Sequence, residues 1–137
     1  MTTRRCGQYL NKPWKQQPDP PHSFNCGELL RHIFKRHFDY DAPVLFADTT
    51  DLRSCIRDIR GIARYGDFAQ VDVPQDFDIA LLAMGVDEGH IGVCVGSSNI
   101  LHCYPGAGTV LDDAFTLRNM GWRKIRYLRL LGITRIA

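Results

Sequence analysis

The sequence predicts an α+β fold in which helices precede an antiparallel sheet along the chain. Two observations predict it: apolar residues recur at helical spacing up to about residue 64, and after Gly66 the apolar period changes to two. Helices followed by a run of strands, rather than alternating with strands, are typical of α+β proteins. The chain has 137 residues, 45% of them hydrophobic, so we expect one domain (1–137) with a single core.

The first predicted element is a helix that opens on a cysteine. Residues 1–23 are polar and interrupted by prolines, so they are predicted to form a wrapping loop. From Cys26 to about His37, apolar residues recur on one face and charged residues fill the other, which predicts a helix. Asn25 is the expected N-cap, with Glu28 three positions later completing a capping pair. Cys26 is therefore predicted to be the first residue of this helix.

A second helix and the strands of the sheet complete the prediction. The second helix is predicted from Asp51 to Arg64, and the sheet spans residues 68–131. Its strands are short apolar or β-branched runs bounded by turn residues, namely Phe68 to Val73, Asp78 to Met84, His90 to Val95, Ile100 to Tyr104, Thr109 to Leu111 and Trp122 to Leu131.

Composition and charge exclude several classes of protein. The net charge of +2 and the lack of a recognisable nucleic-acid module argue against a nucleic-acid partner. The longest apolar stretch, Ile79 to Val86, is far shorter than the roughly 20 residues of a membrane span. No apolar signal segment follows the N-terminus, so we expect synthesis in the cytoplasm without a signal peptide. From Arg118 onward there are six Arg or Lys and no Asp or Glu, which favours either an anionic surface or a solvated strand face.

Cys26 is the cysteine whose predicted position favours chemistry. The chain has five cysteines and no C-x-x-C pair, so reduced thiols are expected. A thiol in the first turn of a helix lies beside unpaired N–H groups and the positive end of the helix dipole, and both favour the thiolate. The alternative is a buried structural cysteine. A cysteine nucleophile also needs a base, and His32 and His37 are expected on the polar side of the same helix, pointing away from the thiol.

His90 and His102 are the candidate partners, because they lie on two predicted strands of one hairpin. Side chains alternate along a strand, so an odd turn is needed to place both rings on one face. With a three-residue turn (97–99), Cys94 would pair with His102, and both histidines would share that face. The alternative is a pair of partly buried histidines that merely satisfy hydrogen bonds.

A metal site made of these residues is the less favoured alternative. Zinc sites usually contain closely spaced ligand pairs, and the sequence has none. No glycine-rich phosphate loop precedes a helix either, since Gly106 to Gly108 lack the Lys-Ser or Lys-Thr that such a loop needs. We therefore expect no metal and no other cofactor.

Taken together, these residues resemble the NlpC-type cell-wall cysteine endopeptidases, a compact branch of the papain-like peptidases. The matching segments are Tyr9–Trp14, Phe24–Cys26, Asp78–Leu82, His90–Gly96 and Ile100–His102, in the same order and spacing as in the family. The resemblance extends from about Tyr9 to Tyr127. Residues 108–111 and 122–130 are similar to versions encoded in phage tail gene clusters.

The resemblance implies a papain-like fold and a reaction. It implies hydrolysis of an amide in the peptide stem of peptidoglycan, typically between D-γ-glutamyl and a diamino acid. Cys26 would be the nucleophile, His90 the general base, and His102 the polar residue that orients His90. The backbone N–H of Cys26 would contribute to an oxyanion site, and Trp14 and Asn25 would lie at the substrate or oxyanion side. A phage or prophage tail tip, acting on the cell wall, would be its setting and tail-tip proteins its partners.

Two other functions remain open on the sequence. The chain departs from the family pattern at Glu28, whose carboxylate would oppose thiolate formation if it pointed toward the thiol. It also has Gln17-Pro18 where the family commonly has two glycines. A tail assembly component with this fold and little or no hydrolysis is therefore one alternative. A Cys–His acyltransferase, passing the acyl group to an acceptor other than water, is the other.

Overall fold

The computed structural model describes residues 1, 3–44, 52–63 and 66–137. Within these ranges, a six-stranded antiparallel sheet is packed against helices, so the predicted α+β class is confirmed. None of the helices in these ranges is long and apolar enough to cross a membrane.

The helices are α1 (Thr3–Cys6), α2 (Cys26–Phe38), α3 (Leu52–Ala63) and α4 (Ala114–Asn119), with a 3-10 turn at Gly7–Tyr9. The strands are β1 (Phe68–Val71), β2 (Ile79–Ala83), β3 (Glu88–Val95), β4 (Asn99–Tyr104), β5 (Gly108–Asp113) and β6 (Lys124–Leu130). Across the sheet the order is β1-β6-β2-β3-β4-β5, so β2 to β5 form a meander of neighbouring strands.

Helix α2 begins at Cys26 and ends at Phe38, one residue beyond the predicted end. The Asn25 side chain accepts a hydrogen bond from the backbone N–H of Glu28 at 2.8 Å, which is the expected N-cap geometry. Asp39 adopts the left-handed conformation and closes the helix. Helix α3 lies within the predicted second helix, whose expected end residues, Asp51 and Arg64, are outside the described residues.

The prediction that residues 1–23 form only a loop is wrong for residues 3–9. Their prolines begin at Pro13, so nothing prevents the short turns α1 and Gly7–Tyr9 from forming, and these turns bury Cys6 and Tyr9. The chain then runs beside β5, where Lys12 N donates to Thr109 Oγ1 at 2.7 Å.

Helix α4 was not predicted, and the last strand begins later than expected. A six-residue helix is too short to show an apolar period, although its N-cap, Asp113, accepts from Thr116 N at 2.6 Å. Trp122 precedes β6, which starts at Lys124. The short helix ends just before Trp122 and turns its indole toward the sheet, where it packs against apolar side chains.

The two faces of the sheet are covered differently. Helices α2 and α3 contribute to the larger apolar core, and we call the face they cover the helix face. Leu117 of α4 and Trp122 cover the opposite face with a smaller cluster. Successive strand residues point to opposite faces, so the apolar residues Ile91 and Val93 of β3 lie on the helix face. The alternate residues of β3, His90 and Cys94 among them, point to the opposite face.

Candidate functional site

His90 and His102 form a hydrogen-bonded pair on the opposite face of the sheet. His90 lies on β3 and His102 on β4, and Nε2 of His90 is 2.9 Å from Nδ1 of His102. The rings are enclosed by aromatic side chains: Trp122 stacks on His90 at 5.1 Å, and Tyr104 stacks on His102 at 5.2 Å. His90 is 6% exposed and His102 is fully buried. The sequence predicted that these two residues would meet, and they do.

The hairpin that joins them has the predicted parity but a different register. The expected pairing was Cys94 with His102; instead Val95 pairs with Asn99 and Gly92 pairs with His102. The turn therefore consists of the three residues 96–98, one position earlier than expected. Gly96 has φ +67°, a left-handed conformation that suits glycine, so β3 ends before it. The register moves by two residues, which keeps both histidines on one face.

Gly92 makes the close approach of the two strands possible. A Cβ at this position would lie 2.5 Å from Cγ2 of Ile100 and 2.9 Å from the backbone oxygen of Leu101. It would also lie 3.2 Å from Cβ of His102. A side chain here would displace β4, and with it the ring of His102, so glycine is required for the geometry of the pair.

Asp112 extends the pair to a line of three titratable side chains, and the sequence prediction missed it. Its Oδ2 atom lies 2.8 Å from Nε2 of His102, and its side chain is 23% exposed. The predicted strand stopped at Leu111, one residue too early to include Asp112, whereas β5 continues to Asp113. Extending β5 by one residue would have placed Asp112 on the strand, but its contact with His102 depends on the pairing of β5 with β4.

Burial keeps both rings uncharged. Burial, and to a smaller degree the neighbouring His102, lowers the pKa of His90 to about 3. Burial also lowers the pKa of His102, while the hydrogen bond to the Asp112 carboxylate raises it. At neutral pH the pair is therefore a neutral base that can accept a proton, which is the state that a general base needs.

Cys26 lies at the start of α2, and its side chain belongs to the core on the helix face. It is 9% exposed. Sγ of Cys103, the residue after His102, donates to the backbone oxygen of Phe24 at 3.4 Å. Two residues span at most about 7 Å, so Cys26 starts its helix near the end of β4. Helix α2 packs on both β3 and β4.

The rings of His90 and His102 therefore project from one face of β3 and β4, whereas Cys26 packs on the other face of the sheet. The pairing of β3 with β4 ends at Gly92 and His102, so His90 lies two residues past the last pair. The thiol of Cys26 and the ring of His90 could therefore meet only beyond Gly92 and His102, where the pairing of β3 with β4 ends. The structure brings His90 and His102 into direct contact and places Cys26 at the same end of the hairpin.

Two other cysteines, Cys94 on β3 and Cys103 on β4, are buried in the strands of the hairpin. Neither lies at the start of a helix, so no helix dipole stabilises its thiolate. Burial raises the pKa of Cys94 to about 12, with the nearby Asp78 carboxylate adding to the shift. Burial also raises the pKa of Cys103 to about 12. Both thiols are therefore protonated and unreactive at neutral pH.

Glu28 is directed to an arginine. Its two carboxylate oxygens accept from Nη1 of Arg31 at 3.0 and 3.1 Å. The Arg31 Nε atom in turn donates to the backbone oxygen of Ala42 at 3.1 Å. The positive charge of the Arg31 guanidinium offsets the negative charge of Glu28, which would otherwise oppose a thiolate at Cys26.

Asn25 and Trp14 hold the segment before α2 in place. Asn25 is buried, its Oδ1 caps the helix, and its Nδ2 donates to the backbone oxygen of Gln16 at 3.4 Å. Trp14 is half-buried and pairs through its backbone with Phe24. Trp14 also borders an open cavity of about 440 Å³, whose other lining residues are Asn11, Lys12, Pro13, Gly106, Ala107 and Gly108.

No protein-family model matches this chain, and none of the curated proteins matches it. The resemblance to cell-wall cysteine endopeptidases therefore remains a prediction from the sequence. The activity has to be argued from the side chains themselves.

Proposed function

We propose that this protein is a papain-like cysteine peptidase of the NlpC type that hydrolyses an amide bond in the peptide stem of peptidoglycan. The proposed bond joins D-γ-glutamyl to a diamino acid, and the proposed setting is a phage or prophage tail that reaches the cell wall. No cofactor takes part in the proposed reaction.

One observation carries this proposal: the hydrogen-bonded, buried pair of His90 and His102 on the two strands against which the cysteine helix packs. A neutral imidazole with one nitrogen engaged by a second residue is the arrangement of a general base and its orienting partner. Cys26 opens the helix at the same end of the hairpin, where backbone N–H groups favour the thiolate.

The proposed reaction proceeds in two halves. In the first, His90 takes the proton from Sγ of Cys26 while the sulfur attacks the amide carbonyl carbon, and a C–S bond forms. The C–N bond then breaks, and the leaving amine takes that proton from His90. In the second half, water attacks the thioester, which releases a carboxylate and restores the thiol. The backbone N–H of Cys26 is the proposed donor to the oxyanion in both halves.

One observation favours the second candidate, a tail component with this fold and little or no hydrolysis. Cys26 belongs to the apolar core on the helix face, whereas both rings lie on the opposite face. A thiol held among apolar side chains is usually inert. The two candidates therefore differ in one measurable property, the reactivity of Cys26.

The test is digestion of purified muropeptides of several stem chemistries, with products identified by mass spectrometry. Wild-type protein is compared with Cys26→Ala, and Cys94→Ala is the matched control because it removes a buried thiol outside the proposed chemistry. We expect a new stem-peptide fragment with wild type and Cys94→Ala and none with Cys26→Ala. Labelling with iodoacetamide reports the reactivity of Cys26 in parallel.

Each other outcome points to a different function. A reactive Cys26 without any fragment would indicate an acyl substrate or acceptor of another kind, as in an acyltransferase. An unreactive Cys26 without any fragment would contradict the peptidase and favour the tail component. A fragment that persists in Cys26→Ala would rule out Cys26 as the nucleophile.

A further inference from the structure

We infer that Asp112 is a positioning residue that fixes the tautomers of both His102 and His90, so that Nδ1 of His90 is the nitrogen left unprotonated. This role rests on the proposed function only for its effect on activity, since the proton positions exist whether or not the protein is a peptidase.

The direction of each hydrogen bond follows from Asp112. An ionised carboxylate only accepts hydrogen bonds, so Nε2 of His102, 2.8 Å from Oδ2, carries a proton. In a neutral imidazole the other nitrogen is then an acceptor, so Nδ1 of His102 accepts. Its partner at 2.9 Å, Nε2 of His90, must therefore donate, and Nδ1 of His90 is left with a lone pair.

The opposite tautomer would disable the base. Without an acceptor at Asp112, His102 can place its proton on Nδ1 and donate to Nε2 of His90. His90 would then carry its own proton on Nδ1, and that nitrogen would have no lone pair to offer a thiol. The carboxylate therefore acts through His102 on an atom of another strand.

The carboxylate of Asp112 also places a negative charge beside the histidine pair, where a positive charge develops during proton transfer. When His90 accepts a proton, the positive charge develops in a fully enclosed pair, where burial opposes it. Asp112 is the carboxylate bonded to that pair, with Oδ2 2.8 Å from Nε2 of His102. The titratable side chains that contact the rings within the described ranges are Asp112 and Tyr104, from β5 and β4.

The test compares Asp112→Ala and Asp112→Asn with wild type, and Asp113→Asn is the matched control. Asp113 is the next residue, loses the same charge and keeps an N-cap side chain. Nitrogen-15 NMR of the full chain reads the protonation of each histidine nitrogen, assigned with single His→Gln variants. The activity of the same proteins on muropeptides is measured as kcat/KM against pH.

We expect wild-type His102 to be protonated at Nε2 and His90 at Nε2. Asp112→Ala should give mixed tautomers and at least about a 10-fold loss of kcat/KM. Asp112→Asn keeps an acceptor oxygen, so it should restore the tautomers in part. Both variants lose the charge, so the acid limb of the pH profile should move to lower pH in both. Asp113→Asn should change neither readout.

Two results would overturn the inference. One is wild-type His102 without a proton on Nε2, and the other is an unchanged pair of tautomers in both Asp112 variants. If Asp112→Ala does not fold, Asp112→Asn still tests the role of Asp112, because the acid limb of its kcat/KM profile should lie at lower pH than in wild type. If wild type has no peptidase activity, the NMR spectra alone decide the role of Asp112, so failure of the proposed function and failure of this inference are distinguishable.

Discussion

Two buried histidine clusters lie within the residues that the structure describes, and the hydrogen-bond partners of their rings differ in kind. His37, at the end of α2, is 4% exposed, and both of its ring nitrogens are hydrogen-bonded. Nε2 is 2.8 Å from the hydroxyl of Tyr9, and Nδ1 is 3.0 Å from the backbone oxygen of Ala137. The His90–His102 pair is as deeply buried, but its outer partner is the carboxylate of Asp112.

The difference separates a structural histidine from one suited to proton transfer. Burial raises the pKa of Tyr9 to about 12, so its hydroxyl stays uncharged. Burial lowers the pKa of His37, and the nearby positive charges of Arg36, Arg135 and the N-terminal amino group lower it further. Among the described residues, the two hydrogen-bond partners of His37 include no carboxylate side chain that could compensate an added proton. In the His90–His102 pair, an added proton is shared between two rings and compensated by a carboxylate. Burial alone does not distinguish the two clusters; the charge of the last partner does.

The largest expected difference between the two histidine clusters is in the rate of muropeptide hydrolysis. His90→Gln keeps a polar side chain on β3 but removes the base, so we expect at least about a 1,000-fold loss of muropeptide hydrolysis. His37→Gln is the matched control, and its kcat/KM should remain within about 3-fold of wild type, because most substitutions outside such sites act on stability. Thermal unfolding of each variant checks that the fold is intact. Equal losses in the two variants would erase the distinction between the clusters.

The next effect is on stability against pH. Folding lowers the pKa of His90, His102 and His37, so it favours their uncharged forms. This contribution is present above the unfolded pKa of about 6.5 and is lost as the pH falls below it. Each such histidine adds a slope of up to about 1.4 kcal/mol per pH unit to the free energy of unfolding. Urea denaturation between pH 7 and pH 5 should therefore show a steeper acid loss in wild type than in His90→Gln.

In that experiment the carboxylates titrate alike in both proteins, so the difference between the two slopes isolates the histidine. The slope of His90→Gln should be shallower down to about pH 3, because the pKa of His90 in the fold is about 3. Identical slopes would show that folding leaves the pKa of His90 at its unfolded value, which is incompatible with a ring kept neutral by burial.

The smallest effect concerns the structural cluster. Tyr9→Phe removes one hydroxyl and leaves Nε2 of His37 without its partner, at a cost of about 1 to 3 kcal/mol in the free energy of unfolding. Activity should be unchanged, because the Tyr9 hydroxyl is bonded to His37, whereas His90 and His102 are bonded to each other. Denaturant unfolding and muropeptide hydrolysis are measured on the same preparation. A selective loss of activity with full stability would mean that the two clusters are coupled.

Much of this arrangement was predictable from periodicity, and the misses have physical reasons. Cys26 at a helix start follows from an N-cap and an apolar stripe, and the meeting of His90 and His102 follows from strand parity. His37 was expected on the polar side of α2, yet it lies four residues after Ile33 and three after Phe34, on the buried face. Because histidine is polar, the sequence pattern did not count His37 as part of the apolar face of α2.

Other features depend on contacts that one segment of sequence does not contain. Asp112 belongs to the site only because β5 pairs with β4, a tertiary fact that a single strand pattern cannot show. The register of the hairpin depended on where Gly96 ended β3. The arrival of Cys26 from the helix face, with the rings on the other face, depends on how α2 docks on the sheet.

The three-residue turn of the hairpin also determines the order in which the site can assemble. His90 and His102 are brought together by closing one short loop, which costs little chain entropy. Cys26 precedes His90 by 64 residues and comes to the same end of the hairpin only when α2 docks on the sheet, which is a slower step because it joins distant parts of the chain. We therefore expect the imidazole pair to form in a partly folded chain before α2 docks, so that the proposed nucleophile is the last component of the site to arrive.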